Sequence, residues 1–203
     1  MSEHAPLFIA VTRYRAAPEG ADLARTGAIQ RATVGAPGAL GATVFRSTTD
    51  GGEMLRITWW ESLEARDRLH ASGAGQRLAL GSGPAREFYA LVHDGRSAAR
   101  HERDPNAPLF VAITRYRAEA ADDAAERTRG IQQAVAGAPG ALGAQVFHST
   151  TDPQAMLRIT WWESLEARDH LHASEVGRHL GLGSGPPREF YRIVADSRRA
   201  DIR

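Results

Sequence analysis

The sequence predicts an α+β protein made of two successive copies of one module, and two observations support this prediction. All fourteen aromatic residues fall into seven pairs separated by 102 positions, of which Trp59 and Trp161 are one. Residues 6–98 also align without a gap with residues 108–200, and about two-thirds of the positions are identical. A repeat of this length is of ordinary domain size, so each copy is expected to be a complete module rather than one turn of a solenoid.

The first half of each module is predicted to be a strand, a helix and a second strand. Residues 7–14 are rich in Ile, Val, Thr and aromatic side chains, which favour a strand. Residues 18–34 are rich in alanine and favour a helix. The apolar face of this helix in the second copy consists of Ala124, Thr128, Ile131 and Val135. The Gly-Ala-Pro-Gly sequence at 35–38 ends the helix, and residues 42–47 form the second strand.

The second half of each module is predicted to be a strand, a helix and a last strand. A turn at 50–52 joins the second strand to a third at 54–60 as a hairpin. Ser62 is a good N-cap for a helix that runs towards Ser72 or beyond. A Gly- and Pro-containing stretch follows, and residues 86–92 form the last strand. The resulting order, β-α-β-β-α-β, is the ferredoxin-like plan.

Such a sheet carries helices on one face and leaves the other face bare, so the second copy is expected to cover it. This predicts an intramolecular pseudo-dimer packed sheet to sheet. The modules are assigned to residues 5–94 and 107–199, and the polar stretch 95–106 is predicted to be a linker. A further homodimer of the whole chain stays open.

Composition argues against several classes of partner. The net charge is +1, and the 25 basic residues are all arginines spread along the chain, so no nucleic-acid partner is predicted. Neither a secretory leader nor an apolar run of spanning length is found, so we expect a cytoplasmic protein without a membrane partner. Cysteine is absent, and no His, Asp or Glu cluster has the spacing of metal ligands, so no metal site is predicted.

The third strand of each module has one ordinary face and one unusual face, because side chains alternate along a strand. Leu55, Ile57 and Trp59 form a typical core face. The opposite face is a plausible pocket floor, and it comprises Met54, Arg56, Thr58 and Trp60 in the first copy and Met156, Arg158, Thr160 and Trp162 in the second. One face of the first strand adds Tyr14, which repeats as Tyr116. Two structural alternatives stay open: Trp60 could fill the gap between sheet and helices, and Arg56 could pair with Glu61 or Glu87.

Three short blocks carry a family resemblance. They are PGALGA at 37–42, STTDG at 47–51 and WESLEA at 60–65. Together they resemble the antibiotic biosynthesis monooxygenase family, in a pattern similar to the cofactor-free anthrone oxygenases of polyketide pathways. The resemblance implies a dimeric α/β barrel, formed here by one chain from two ferredoxin-like halves.

The resemblance also implies positions for the site residues. The family's pocket tryptophan matches Trp60 and Trp162, and its active-site asparagine is replaced by Arg56 and Arg158. A helix tyrosine of the family is replaced by Arg66 and Arg168. The histidine of the second strand matches His148, whereas the first copy has Arg46 at that position.

These positions give the expected chemistry. Oxygenation without a cofactor needs an electron-rich substrate anion, which an arginine in the pocket would favour. Imidazole can act as a proton acceptor near neutral pH and arginine cannot, so we expect His148 to be the base and the second module to be the active one. The expected catalytic residues are His148, Arg158, Trp162, Arg56 and Trp60. The expected substrate-binding residues are Thr58, Thr160, Arg66, Arg168, Tyr14, Tyr116 and Arg46.

The expected partners are a flat, acidic aromatic molecule and dioxygen, with no cofactor. One alternative is a non-oxidative cyclase or isomerase in which the arginines hold an enolate. Another is a haem-binding or ligand-carrying module, for which the helix histidines would be His70, His172 and His179.

Overall fold

The computed structural model describes residues 7–16, 21–96, 109–118, 122–184 and 186–198. The α+β class and the β-α-β-β-α-β order of both modules are confirmed. The first copy contains β1 (Phe8–Arg15), α1 (Ala21–Val34), β2 (Ala39–Ser47), β3 (Glu53–Trp60), α2 (Leu63–Ala71), α3 (Gly73–Arg77), a 3₁₀ turn (Leu80–Ser82) and β4 (Arg86–Arg96). The second contains β5 (Phe110–Arg117), α4 (Asp122–Ala136), β6 (Ala141–Ser149), β7 (Ala155–Trp162), α5 (Leu165–Ala173), α6 (Glu175–His179) and β8 (Arg188–Asp196).

The chain divides into two compact units, whose borders fall inside strands rather than in the linker. Unit 1 comprises Met1–Ala90 with Ile193–Arg203, and unit 2 comprises Leu91–Arg192. Strand β4 continues to Arg96, so Gly95 and Arg96 are strand residues and not the start of the predicted linker. The rest of that linker, 97–106, lies outside the described residues.

Each unit has an antiparallel sheet in which the first strand of the module lies in the middle. In unit 1, β1 pairs with β3 on one side and with β4 on the other, and β3 also pairs with β2. Unit 2 repeats this order with β8, β5, β7 and β6. Thr12 is the register partner of both Arg56 on β3 and Arg86 on β4.

The predicted core face of the third strand is confirmed. Leu55, Ile57 and Trp59 have no solvent-exposed surface. The indole N–H of Trp59 donates to the Thr43 hydroxyl at 3.2 Å, which satisfies its one polar group. In unit 2 a glutamine replaces that threonine, and Trp161 donates to the side-chain oxygen of Gln145 at 3.2 Å.

The helix predicted from Ser62 towards Ser72 or beyond ends at Ala71, because Ser72 is both its C-cap and the N-cap of the next helix. The Ser62 hydroxyl accepts from the Ala65 N–H at 3.1 Å, which confirms the predicted N-cap. Ser72 has extended backbone geometry, and its hydroxyl accepts from the Gly75 N–H at 3.1 Å. Ser72 therefore ends α2 and begins α3, and Ser174 does the same in unit 2.

The end of the chain completes unit 1. The Ser197 N–H donates to the Ala42 carbonyl at 2.8 Å, and Arg198 is buried with its guanidinium 5.3 Å from the Trp59 ring. Arg198 also forms a salt bridge with Asp196 at 2.7 Å. Gly41 has a φ of +123°, and a Cβ there would collide with the backbone of Arg198. Only glycine fits this bend, because it lacks a side chain and tolerates positive φ.

Among the helices that the structure describes, none is both long and apolar enough to cross a lipid bilayer.

Candidate functional site

A small cavity lies in unit 1 between the sheet and the helices. Its volume is about 20 Å³. The sheet contributes Ala10, Thr12, Arg56, Thr58, Trp60 and Arg86; the helices and the 3₁₀ turn contribute Ile29, Thr33, Arg66, Leu69, His70 and Leu80. This volume accommodates about one water molecule, so any larger ligand must displace lining side chains.

Two of the three arginines in this cavity come from the sheet. Arg86, Thr12 and Arg56 form one row across β4, β1 and β3, and register partners project to the same face. The next row along the strands is Phe88, Ala10 and Thr58. The predicted pocket floor on β3 is therefore extended by β4, whose register against β1 brings in a second arginine.

The third arginine and a histidine come from α2. Arg66 and His70 are four positions apart, which places them on the same face of a helix. The Arg66 guanidinium lies 3.4 Å from Nδ1 of His70. Because a guanidinium only donates, Nδ1 must accept this hydrogen bond, and the neutral ring then carries its proton on Nε2.

The guanidinium groups are held mainly by aromatic rings. Arg66 lies 4.6 Å from the centre of the Phe88 ring, and Arg56 lies 5.7 Å from that of Tyr14. None of the twelve lining residues is acidic. Arg66 does form a salt bridge of 2.5 Å with Asp67, but the Asp67 side chain is 66% exposed to solvent.

Arg56 is buried, with 9% of its surface exposed. Among the described residues it forms no hydrogen bond or salt bridge, so the alternative of a pair with Glu61 or Glu87 is not observed. Glu61 is exposed, and Glu87 accepts a hydrogen bond of 2.5 Å from Tyr89. Two further polar atoms are buried without a partner, the Tyr14 hydroxyl and Nε of Arg66.

The local electrostatics disfavour additional positive charge. Burial and then the Arg66 and Arg86 cations lower the pKa of His70 to about 4. Burial likewise lowers the pKa of Arg56, and burial together with the two neighbouring arginines lowers that of Arg86. His70 is therefore a neutral imidazole near pH 7, and the cavity is lined by three cations and a neutral N–H donor.

Trp60 has both of the roles considered for it. It is 1% exposed and packs in the cluster of Ile29, Leu69 and Leu80 between sheet and helices. It also lines the cavity, and its indole N–H donates to the Thr58 hydroxyl at 2.9 Å. The indole orientation is thus fixed by packing and by one hydrogen bond.

Unit 2 repeats the lining almost completely. The equivalent positions, 102 residues further on, differ from unit 1 only in that Val135 replaces Thr33. Arg168 lies 4.5 Å from the Phe190 ring, Arg158 lies 5.0 Å from the Tyr116 ring, and Arg188 matches Arg86. Nδ1 of His172 lies 3.2 Å from Arg168, and burial followed by Arg168 lowers its pKa to about 4. Nε of both Arg158 and Arg168 is buried without a partner.

The predicted base lies on the same sheet face, one step from the arginine row. His148 on β6 is the register partner of Met156, which is two residues from Arg158 on β7. Diagonal neighbours of this kind are about 7–8 Å apart. Nδ1 of His148 lies 3.0 Å from the Ser149 carbonyl, which can only accept, so Nδ1 carries the proton and Nε2 is left with a free lone pair. Arg46, the equivalent residue of unit 1, is exposed and does not line the cavity.

Sequence reasoning missed Arg86 and Arg188, and it considered His70 and His172 as candidate haem ligands and not as part of the arginine site. The pairing register of the first and last strands is needed to bring Arg86 to the cavity. The histidines could have been found, because the i, i+4 spacing from Arg66 was visible in the sequence.

Larger grooves lie elsewhere on unit 2. One of about 800 Å³ runs along α4 and α5 and is lined by Glu163, Glu166 and His170; a second of about 730 Å³ contains His179. Neither includes the arginines or Trp162. Across the described parts of the chain, no three His, Asp or Glu side chains come together as metal ligands.

Two of the three histidines considered for haem, His70 and His172, have hydrogen bonds that disfavour iron ligation. A metal-bound imidazole coordinates through one nitrogen and usually donates the other N–H to an acceptor. In His70 and His172 a guanidinium donates to Nδ1, so the remaining nitrogen carries the proton and has no lone pair to offer. His179 is exposed on the last residue of α6.

Comparisons with known structures agree with the fold. A candidate monooxygenase of Fusobacterium nucleatum superposes with a TM-score of 0.74 at 10% identity, over 97% of this chain and 96% of that one. An anthrone oxidase-like protein gives 0.64 at 14% identity, over 98% and 95%. A chlorite dismutase variant of Candidatus Nitrospira defluvii gives 0.57 at 13% identity, over 96% and 93%. At such identities the likeness establishes the fold alone.

No curated protein sequence matches the chain. A family profile does, once in each module. The profile described as antibiotic biosynthesis monooxygenase matches residues 7–78 and again residues 109–180. The two matches include β3 and α2 of unit 1 and their equivalents in unit 2, and with them Arg56, Trp60, Arg66 and His70 and their counterparts, whereas Arg86 and Arg188 lie beyond the matched ranges. The chain therefore belongs to the antibiotic biosynthesis monooxygenase family.

Proposed function

We propose that the protein is a cofactor-independent monooxygenase that oxidises an anthrone- or hydroquinone-like aromatic compound of secondary metabolism. The observation that supports this is the cavity of unit 1, which combines three arginines with an indole wall and has no carboxylate among its lining residues, and whose lining is repeated in the sequence of unit 2 with one difference. Such a lining favours an aromatic molecule in its anionic form, which is the form that can reduce dioxygen.

The arginines act on the acidity of the substrate. Arg56 and Arg158 are buried or partly buried cations that lie beside an apolar wall formed by Trp60 and Trp162. A cation in a poorly solvated site stabilises the phenolate or enolate and so lowers the substrate's pKa. Thr58 and Thr160 fix the two indoles, and Tyr14 and Tyr116 support the two arginines from the side.

The proposed reaction consumes one dioxygen per substrate. The substrate anion transfers an electron to dioxygen, and the resulting radicals combine into a peroxide on the substrate carbon. Loss of that carbon's remaining proton breaks the O–O bond. One oxygen atom becomes the new carbonyl group and the other leaves as water, so a CH₂ group becomes C=O.

His148 is the proposed base of unit 2. Its Nδ1 proton is directed to a backbone carbonyl, which leaves Nε2 able to accept a proton. His172 has the opposite tautomer and can donate through Nε2. Unit 2 therefore pairs a proton acceptor with a proton donor, whereas unit 1 has Arg46 in place of the acceptor.

The proposal is tested with 1,8-dihydroxyanthrone in an oxygen electrode. We expect catalysed oxygen uptake above the rate of spontaneous oxidation, with one dioxygen consumed per 1,8-dihydroxyanthraquinone formed and no hydrogen peroxide released. The double variant Arg56→Gln/Arg158→Gln should lose this activity. The matched control is Arg31→Gln, an exposed position of α1 that already carries glutamine in unit 2. Uptake that equals the spontaneous rate would contradict the proposal.

An anaerobic incubation separates the non-oxidative alternative. A cyclase or isomerase that uses the same arginines to hold an enolate would convert its substrate without dioxygen. Under the oxygenase proposal no turnover occurs until air is admitted.

A further inference from the structure

We infer that each module binds an aromatic dianion, so that one chain binds two such molecules. The substrate would then carry a second acidic group besides the hydroxyl that ionises. This inference rests on the proposed function for the identity of the ligand as a substrate. The charge and hydrogen-bonding capacity of the cavity support it independently.

The charge of the cavity requires more than one compensating anion. Arg56, Arg66 and Arg86 contribute three positive charges to one small space. Asp67 offsets one of them, and it does so from a side chain that is mostly in water. Two buried or half-buried cations remain, and an uncompensated buried charge costs several kcal/mol. A monoanionic ligand would leave one of them unbalanced.

The hydrogen-bond donors point to the same conclusion. The Arg86 guanidinium uses one N–H on the Leu80 carbonyl, and Arg66 keeps a buried Nε without a partner. Arg56 makes no hydrogen bond with any described residue, so all of its N–H groups are available. The Tyr14 ring contacts Arg56 without using its donors, which leaves its fork free for an acceptor group. Arg66 uses one N–H on Asp67 and one on His70, and its Nε–H is left for a second acceptor group.

The positions of the arginines separate the two anionic groups. Arg56 and Arg86 flank Thr12 on either side, so their backbones are two strand spacings apart, or about 10 Å. Arg66 approaches from α2. A flat ring that carries two separate anionic groups matches this arrangement better than a ligand with both charges on one group.

Both modules have the residues to bind the dianion, because eleven of the twelve lining positions of unit 1 are identical in unit 2. The single difference, Thr33 against Val135, does not involve a free polar group. The Thr33 hydroxyl already donates to the Ile29 carbonyl at 2.9 Å.

The test uses three benzene derivatives of different charge: isophthalate with two carboxylates, benzoate with one, and isophthalamide with none. Calorimetric titration of the whole chain near pH 7 should show isophthalate binding about tenfold more tightly than benzoate, because each extra charge-assisted pair contributes on the order of 1.5 kcal/mol. Isophthalamide should bind still more weakly, and the stoichiometry for isophthalate should be two per chain.

The double variant Arg86→Gln/Arg188→Gln should reduce the preference for isophthalate over benzoate to about threefold or less, while Arg31→Gln keeps it. Equal affinity of the wild type for isophthalate and benzoate would overturn the inference, as would a stoichiometry of one. These outcomes are independent of oxygen uptake. A protein that prefers the dianion but does not oxidise the anthrone would refute the proposed function and leave the inference standing.

Discussion

The Arg56 guanidinium lies over the Tyr14 ring and has no carboxylate partner among the described residues, unlike arginines such as Arg15 and Arg117, which form salt bridges. A carboxylate would neutralise Arg56 and occupy its donors, whereas the Tyr14 ring stabilises the cation and leaves the donors free. The consequence is a folded state that contains a buried charge without an ionic partner. Under the proposed function, the bound substrate anion is what compensates this charge.

Replacing Arg56 by an apolar side chain of similar length should therefore stabilise the protein. We expect Arg56→Met to raise the free energy of unfolding by about 1–3 kcal/mol, because it removes an unpaired buried cation. Denaturant unfolding in the absence of ligand measures this. Arg31→Met, on the exposed side of α1, is the control and should stay within about 0.5 kcal/mol of the wild type. A clear loss of stability in Arg56→Met would mean that the arginine has a structural partner.

The neutral histidines predict how stability depends on pH. In the unfolded chain His70 and His172 have pKa values near 6.5, and in the folded protein these pKa values are lowered to about 4. Between these values the unfolded state binds more protons, so the free energy of unfolding falls as the pH is lowered from about 6.5 towards 4. Above about pH 6.5 this contribution is fully present.

The double variant His70→Gln/His172→Gln should show a smaller loss of melting temperature between about pH 7 and about pH 5 than the wild type does. His170→Gln, an exposed position on α5, should follow the wild type. Parallel pH profiles for the double variant and the wild type would argue against the buried neutral imidazoles.

At the scale of elements, the repeat makes strand and helix types predictable but not all of their boundaries. Periodicity and capping residues located every strand and the long helices of both modules. The sequence left open whether the helix ends at Ser72 or continues, because a serine inside a helical pattern can either be tolerated or act as a cap; the structure shows that Ser72 is a cap. Arg86 was missed because its place in the site depends on the register between β1 and β4, which are about seventy residues apart in the chain and whose pairing has no local signal.

One left-handed residue differs between the copies and offers a stability test. Ala79 has a φ of +50°, and its counterpart Gly181 has a φ of +63°. An alanine in this conformation is strained by about 1–2 kcal/mol, partly offset by the greater entropy of unfolded glycine. We expect Ala79→Gly to stabilise unit 1 by up to about 1 kcal/mol and Gly181→Ala to destabilise unit 2 by a similar amount. Opposite signs in denaturant unfolding would confirm the shared backbone geometry, and the same sign for both would contradict it.

On the scale of the whole molecule, the two copies share the cavity-lining residues and differ at the position of the proposed base. The cavity-lining residues of unit 1 and their counterparts in unit 2 differ at one of twelve positions. The position of the proposed base also differs, because His148 in unit 2 corresponds to Arg46 in unit 1. This pattern is expected when both copies keep a ligand site and one of them keeps the proton acceptor. The two copies would then share a substrate and differ in turnover.

His148→Ala and Arg46→Ala should accordingly have unequal effects. Removing a general base costs about 100-fold or more, so His148→Ala should lose most of the oxygen uptake. Arg46→Ala should lose far less, since that side chain lies outside the cavity lining. If unit 1 turned over as fast as unit 2, His148→Ala could remove only about half of the activity. Equal losses from the two variants would refute the asymmetry.

The tail of the chain bears on how this protein can be divided for expression. Ile193–Arg198 belong to unit 1, where Arg198 is 3% exposed and covers the Trp59 ring. A fragment cut at the linker would lack this segment and expose a tryptophan that is otherwise fully enclosed. Halves produced separately should therefore be insoluble, and their solubility should recover when the two are co-expressed. A circular permutant opened between 97 and 106 should keep more of its stability than a chain truncated at 192. A purification tag should be placed at the N-terminal end, so that it does not disturb the segment that covers Trp59.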